Sequence, residues 1–195
     1  MKQTILALLF STSFAVADQF PIEGGERGGK RVVVSYDPKT PDIGDSGADL
    51  LLLDRDGKTV AKFPPLNADW SWTGQNPEKT VYSIQWTENG SFIYVSFRTG
   101  RILSGFSVFR IGEESVTEID VGGTVGSLYD KGRIGEPPRS PNNSGVHAIT
   151  WITSTTLLCD IQTADDTFFV TVTITKKNVP RITNIFHVSE PSDEQ

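Results

Sequence analysis

His147 and His187 are the chain's two histidines and Cys159 its one cysteine, so base, nucleophile and metal-ligand chemistry has few places to start. Neither histidine sits in a metal-spaced pair or beside a nucleophile motif, and no G-x-S-x-G, H-E-x-x-H, phosphate-loop or dinucleotide fingerprint is present. Simple alternation puts His147 on the face of Ile149 and Trp151, an ordinary packed or half-exposed aromatic position. Asp54-Arg55-Asp56-Gly57 opens like a calcium loop, but Lys58 to Lys62 bring no further oxygen donors and no Glu closes the loop at its twelfth position. A hairpin turn accounts for it. Glu113-Glu114 and Asp165-Asp166 read as turn carboxylates between strands, with no sequence sign of a second pair beside them for acid and base work.

Two loops carry more. Asn67 to Gly74 holds Trp70 and Trp72 in an irregular stretch, where large aromatics can stack on sugar rings or anchor a partner, or fold back over the end of a sheet. Gly122 to Gly145 is a long glycine-rich connection with Pro137, Pro138 and Pro141 and a basic cluster of Lys131, Arg133 and Arg139. Such a cluster can recognise a carboxylate or sulfate, or belong to a surface insertion with no ligand. Trp70, Trp72, Lys131, Arg133 and Arg139 are therefore the candidate binding residues. No metal site and no cofactor is expected.

These residues need a scaffold, and the pattern for one is β. Short β-branched and aromatic runs bounded by turn residues recur after Asp18, and no segment shows helical spacing over three turns. Val81-Tyr82-Ser83-Ile84-Gln85-Trp86 matches Val146-His147-Ala148-Ile149-Thr150-Trp151 as V-x-x-I-x-W, and each copy is followed by three further strand candidates. A weaker first copy runs through Arg31 to Tyr36, Ala48 to Asp54 and Thr59 to Phe63, with Tyr36 in the place of Trp and no clear fourth strand. Leu50 to Leu53 and Phe92 to Phe97 are apolar on both faces, as strands between two layers are. In Leu157 to Gln162 the period of two groups Cys159 with Leu157 and Ile161, which makes it a buried, inert thiol. Thr171, Thr173 and Thr175 alternate with an apolar row, giving a solvent-facing threonine row.

The order strand, Trp, Asn89-Gly90-Ser91, apolar strand resembles a blade of a β-propeller of the WD-type or Tol-B-like kind. The likeness covers about forty residues of a clear copy and lacks the His and Trp-Asp signature. It implies a scaffold for binding rather than a reaction. The expected fold is all-β, built of consecutive antiparallel four-strand meanders, propeller-like, with a two-sheet β-sandwich as the alternative. One domain of about three meanders is expected over residues 31–188, after a flexible lead-in at 18–30 and before a disordered acidic tail at 189–195.

Residues 1–17 read as an export signal of the bacterial type: Lys2, an apolar run from Ile5 to Phe14, and Ala15-Val16-Ala17 as the cleavage site. The run is too short to span a membrane, so a periplasmic or secreted location and no membrane insertion after signal removal are expected. The net charge of −6 argues against nucleic acid. With a single cysteine no internal disulfide is possible, and burial must supply the stability. The functional expectation is a non-catalytic binding or protein-interaction module whose partner is an unknown protein or glycan. A carbohydrate-binding module using Trp70 and Trp72 is the first alternative, and a small hydrolase the second.

Overall fold

Alternating apolar and polar residues build an antiparallel framework in the computed structural model, which describes residues 18–36, 48–66, 81–98, 104–137, 145–164 and 166–187. The first meander comprises β1 (Asp18–Arg27), β2 (Lys30–Tyr36), β3 (Ala48–Leu53) and β4 (Thr59–Lys62). The second is β5 (Tyr82–Trp86), β6 (Phe92–Arg98), β7 (Ser104–Ile111) and β8 (Val116–Ile119). A helix, α1 (Val121–Asp130), leads into the third: β9 (Val146–Trp151), β10 (Thr156–Gln162), β11 (Thr167–Ile174) and β12 (Pro180–His187). Every neighbour within a meander is antiparallel. The first strands of meanders one and two meet at a parallel bridge, Glu23 with Ser83, giving the order β4-β3-β2-β1-β5-β6-β7-β8; the third meander is a separate sheet, β12-β11-β10-β9.

The meanders stack through two cores, and the middle one serves both. Ile93, Val95 and Phe97 of β6 face the first meander and pack with Val32, Val34, Leu50 and Leu52, while Phe92 and Tyr94 of the same strand face the third and pack with Leu157, Cys159, Val170 and Val172. The doubly apolar reading of Phe92 to Phe97 holds for this physical reason. Phe63 meets Phe109 edge-on at 5.1 Å across the first interface, and Trp151 lies 6.1 Å from Phe92 and 6.3 Å from Tyr94 across the second. The fold is all-β, of consecutive four-strand meanders in a propeller-like stack. A two-sheet sandwich, with its single core, does not describe a middle sheet buried on both faces.

Four sequence expectations are corrected. The lead-in at 18–30 is β1 and its turn into β2; Phe20 and Ile22 pack into the first core, and β1 is the missing strand of the first meander. Its glycines are structural: Gly24 has φ +72°, and a Cβ there would stand 2.1 Å from the Ile84 carbonyl oxygen of β5. Tyr36 consequently ends a second strand, not a first, and is no counterpart of Trp86 and Trp151. An irregularity between Leu158 and Cys159 lets β9 carry an extra residue, so Val146, Ala148 and Trp151 face the core and His147 lies on the other face. The fourth correction is α1, which occupies the first part of the Gly122 to Gly145 connection expected to be a loop. Residues 1–17, the segment holding Trp70 and Trp72, Arg139 and the tail at 189–195 lie outside the described residues.

Candidate functional site

Helix α1 forms against its own propensities. Gly122, Gly123 and Gly126 each cost about 1 kcal/mol relative to Ala, but Val121, Val125 and Leu128 recur at one-turn spacing and are all buried in the second core. Asp120 caps the start, its Oδ1 accepting from the Gly123 amide at 2.8 Å. The end is a Schellman motif: the Arg133 amide donates to the Leu128 carbonyl at 3.0 Å and the Gly132 amide to the Tyr129 carbonyl at 3.0 Å, with Gly132 at φ +59°. Lys131 and Arg133 are thereby fixed at the carbonyl end of the helix, where the dipole favours cations. The Tyr129 hydroxyl ties the same turn to the third meander, donating to the Gln162 carbonyl, with the Gly145 carbonyl 3.3 Å away. Burial and the nearby Asp160 carboxylate push the Tyr129 hydroxyl's pKa up, in that order.

Between α1 and β12 lies a groove of about 630 Å³. Thr124, Ser127, Leu128, Lys131 and Arg133 form one wall and the run from Pro180 to Ile185 the other. Lys131 reaches back to the Ser127 hydroxyl at 3.3 Å. Arg181, exposed on β12, is a third cation in the groove, and its distance from Lys131 in sequence is why no local motif announced it. No Asp or Glu among the described residues lines this groove. Among the described residues none of the three cations forms an ion pair. The site therefore presents positive charge with no carboxylate partner among the described residues, beside the Asn184 side-chain amide, on a chain of net charge −6.

The strand beside it has unusual backbone chemistry. The Ile185 amide donates to the adjacent Asn184 Oδ1 at 3.0 Å, a side-chain acceptor on its own strand. Among the described residues β12 is the terminal strand of its sheet, and α1 packs against it.

Other chemistry-bearing groups are arranged differently. His147 Nδ1 lies 3.3 Å from the Asp160 carboxylate, half-buried, and His187 Nε2 lies 2.8 Å from Asp166 Oδ1 with its ring against Phe168 at 4.8 Å. These two imidazole–carboxylate pairs stand on separate parts of the third meander. The Asp54 carboxylate is taken up by its own turn, accepting from the Asp56 and Lys58 amides at 3.0 Å and 2.9 Å, as a hairpin requires. Thr171 and Thr173 hydrogen-bond to Thr183, and Thr173 also to Thr156, so the threonine row satisfies itself across strands. Cys159 is fully buried, and burial, aided by Asp160, raises its thiol to about 12.

Lys131 and Arg133 are thus brought together with Arg181, a residue the sequence reading missed. Arg139, Trp70 and Trp72 lie outside the described residues.

No family model matches the chain, and no curated protein matches it. Among solved structures it is similar to a protein assigned as a 6-phosphogluconolactonase from Bacteroides fragilis, with 9% identity and a TM-score of 0.35. The match covers 85% of this chain and 38% of that one, so the chain spans less than half of that structure.

Proposed function

We propose that the protein is a binding module and that the groove between α1 and β12 is its ligand site, selective for an anionic partner. The observation that carries this is that Lys131 and Arg133, held by the Schellman turn, line one groove with Arg181 of β12, and that among the described residues no carboxylate lines it. Carboxylates are the fitting ligand chemistry, since arginine's fork pairs with them bidentately while the Asn184 side-chain amide can add a hydrogen bond. In the same reading residues 1–17 export the protein, and its partner is met outside the cytoplasm.

The test is fluorescence anisotropy with a labelled oligoglutamate, comparing wild type with the triple variant Lys131→Ala, Arg133→Ala, Arg181→Ala. The expected loss is at least about tenfold in affinity, with binding that weakens as salt rises. A control pair, Lys176→Ala with Lys177→Ala, removes two cations outside the groove and should leave affinity unchanged. Equal affinity of the triple variant and wild type would overturn the assignment.

A further inference from the structure

We infer that the groove takes its ligand as an added β-strand: an extended, acidic segment of a partner protein pairs its backbone with the edge of β12 that is unpaired among the described residues. This rests on the groove between α1 and β12 being the ligand site. Four observations extend it to a mode of recognition.

First, the edge is long. The eight-stranded sheet ends in β4 and β8, four residues each, which is how proteins blunt edges against unwanted pairing. β12 has eight residues and carries Pro180 only at its first position, where the missing amide costs no ladder bond beyond it. Second, the groove follows the strand. Residues 180–185 line it without interruption, which at roughly 3.3 Å per residue is about 20 Å of backbone. Third, a backbone donor is in reserve. The Ile185 amide is held by the side chain of Asn184, a rotatable acceptor that a peptide carbonyl can replace. Fourth, the opposite wall is the end of α1 and the turn after it, which carries Lys131 and Arg133, so a chain laid along β12 has cations on both walls, Arg181 supplying the other. A slot between an edge strand and a helix suits a single extended strand, with backbone pairing giving affinity and the flanking charges choosing acidic side chains.

The experiment uses a synthetic library of fluorescein-labelled heptapeptides with Glu at alternate positions and apolar residues between, screened by anisotropy against the intact protein. The tightest binder is resynthesised with alternate backbone nitrogens methylated, which keeps every side chain and removes the strand-forming donors. The expected result is a loss of about tenfold or more on methylation, an equal or greater loss in the Lys131→Ala, Arg133→Ala, Arg181→Ala variant, and amide chemical-shift changes centred on Asn184 and Ile185. Binding that depends on the cations but survives methylation overturns strand addition and leaves the anionic groove standing. Binding that is indifferent to both changes, or a library with no binder, overturns both readings.

Discussion

Gln85 and Thr150 occupy the same place in two copies of one sequence repeat, sixty-five residues apart, and they are hydrogen-bonded to each other: the Thr150 hydroxyl donates to Gln85 Oε1 at 3.1 Å. The same amide oxygen accepts from the Trp151 backbone amide at 3.0 Å, and the Gln85 carbonyl accepts from Trp151 Nε1 at 3.1 Å. Tyr94 adds a hydroxyl donation to the Ile149 carbonyl at 2.8 Å. The repeat is therefore the contact itself, each copy presenting to its neighbour the strand that the neighbour also presents.

Replacing Gln85 tests how far the second and third meanders depend on this seam. Gln85→Ala removes one acceptor and leaves two half-buried donors, Thr150 Oγ1 and Trp151 N, without it. A loss of about 1 to 3 kcal/mol is expected in urea unfolding. Gln85→Glu keeps an acceptor at the same reach and should lose less. Equal losses for the two variants would mean that packing, not hydrogen bonding, holds the seam.

Gly24 and Gly28 separate backbone strain from steric clash. Both have positive φ, but a Cβ at Gly24 meets the Ile84 carbonyl oxygen at 2.1 Å whereas one at Gly28 meets nothing within 4 Å. Gly28→Ala should cost about 1 kcal/mol, the ordinary left-handed penalty. Gly24→Ala must also push β1 away from β5, so it should cost about 2 kcal/mol more and expose the Trp86 side of the first core. Thermal unfolding of the two variants beside wild type decides it.

Much of this fold is legible in the amino-acid sequence. The V-x-x-I-x-W copies, the doubly apolar Phe92 to Phe97 and the period of two around Cys159 all report burial, and burial is what side-chain pattern encodes most directly. β1 was hidden because Gly24 and Gly25 stand where β5 and β2 come too close for side chains, so the alternation is interrupted by the contacts that make the strand. α1 was hidden by three glycines, although Asp120, the Val121, Val125, Leu128 spacing and Gly132 together mark its start, face and end. Of the site, Lys131 and Arg133 could be read as a local cluster. Arg181 could not, because its meeting with them is a product of the way β12 and α1 pack.

Gly132 links stability to the site. At φ +59° with open space around its Cα, Gly132→Ala meets no clash and should cost about 1 kcal/mol through the left-handed penalty alone. Because the Schellman turn orients Arg133, affinity for an acidic peptide should fall as well, and more steeply than for a variant of equal stability elsewhere, such as Gly28→Ala. Matched affinities for the two variants would show that the turn does not set the cation geometry.

Cys159 gives the fold a sign-defined response to alkali. Its thiol is held at about 12 against an ordinary 9.0, chiefly by burial. The folded protein therefore keeps a proton that the unfolded chain releases above pH 9. Stability contributed by the protonated thiol is complete below that point and is lost as pH rises from 9 towards 12, by up to about 1.4 kcal/mol per pH unit. Tyr94 and Tyr129, both raised by burial, act in the same direction. Urea unfolding across this window should show the decline in wild type and a shallower one in Cys159→Val, which keeps an apolar side chain of similar size and has nothing to ionise. In the native protein at neutral pH the thiol should react with Ellman's reagent only as fast as the chain opens, and at the full rate of a free thiol in urea. A wild-type profile that matches Cys159→Val from pH 9 upward would remove this thiol from the account and leave the tyrosines as the cause.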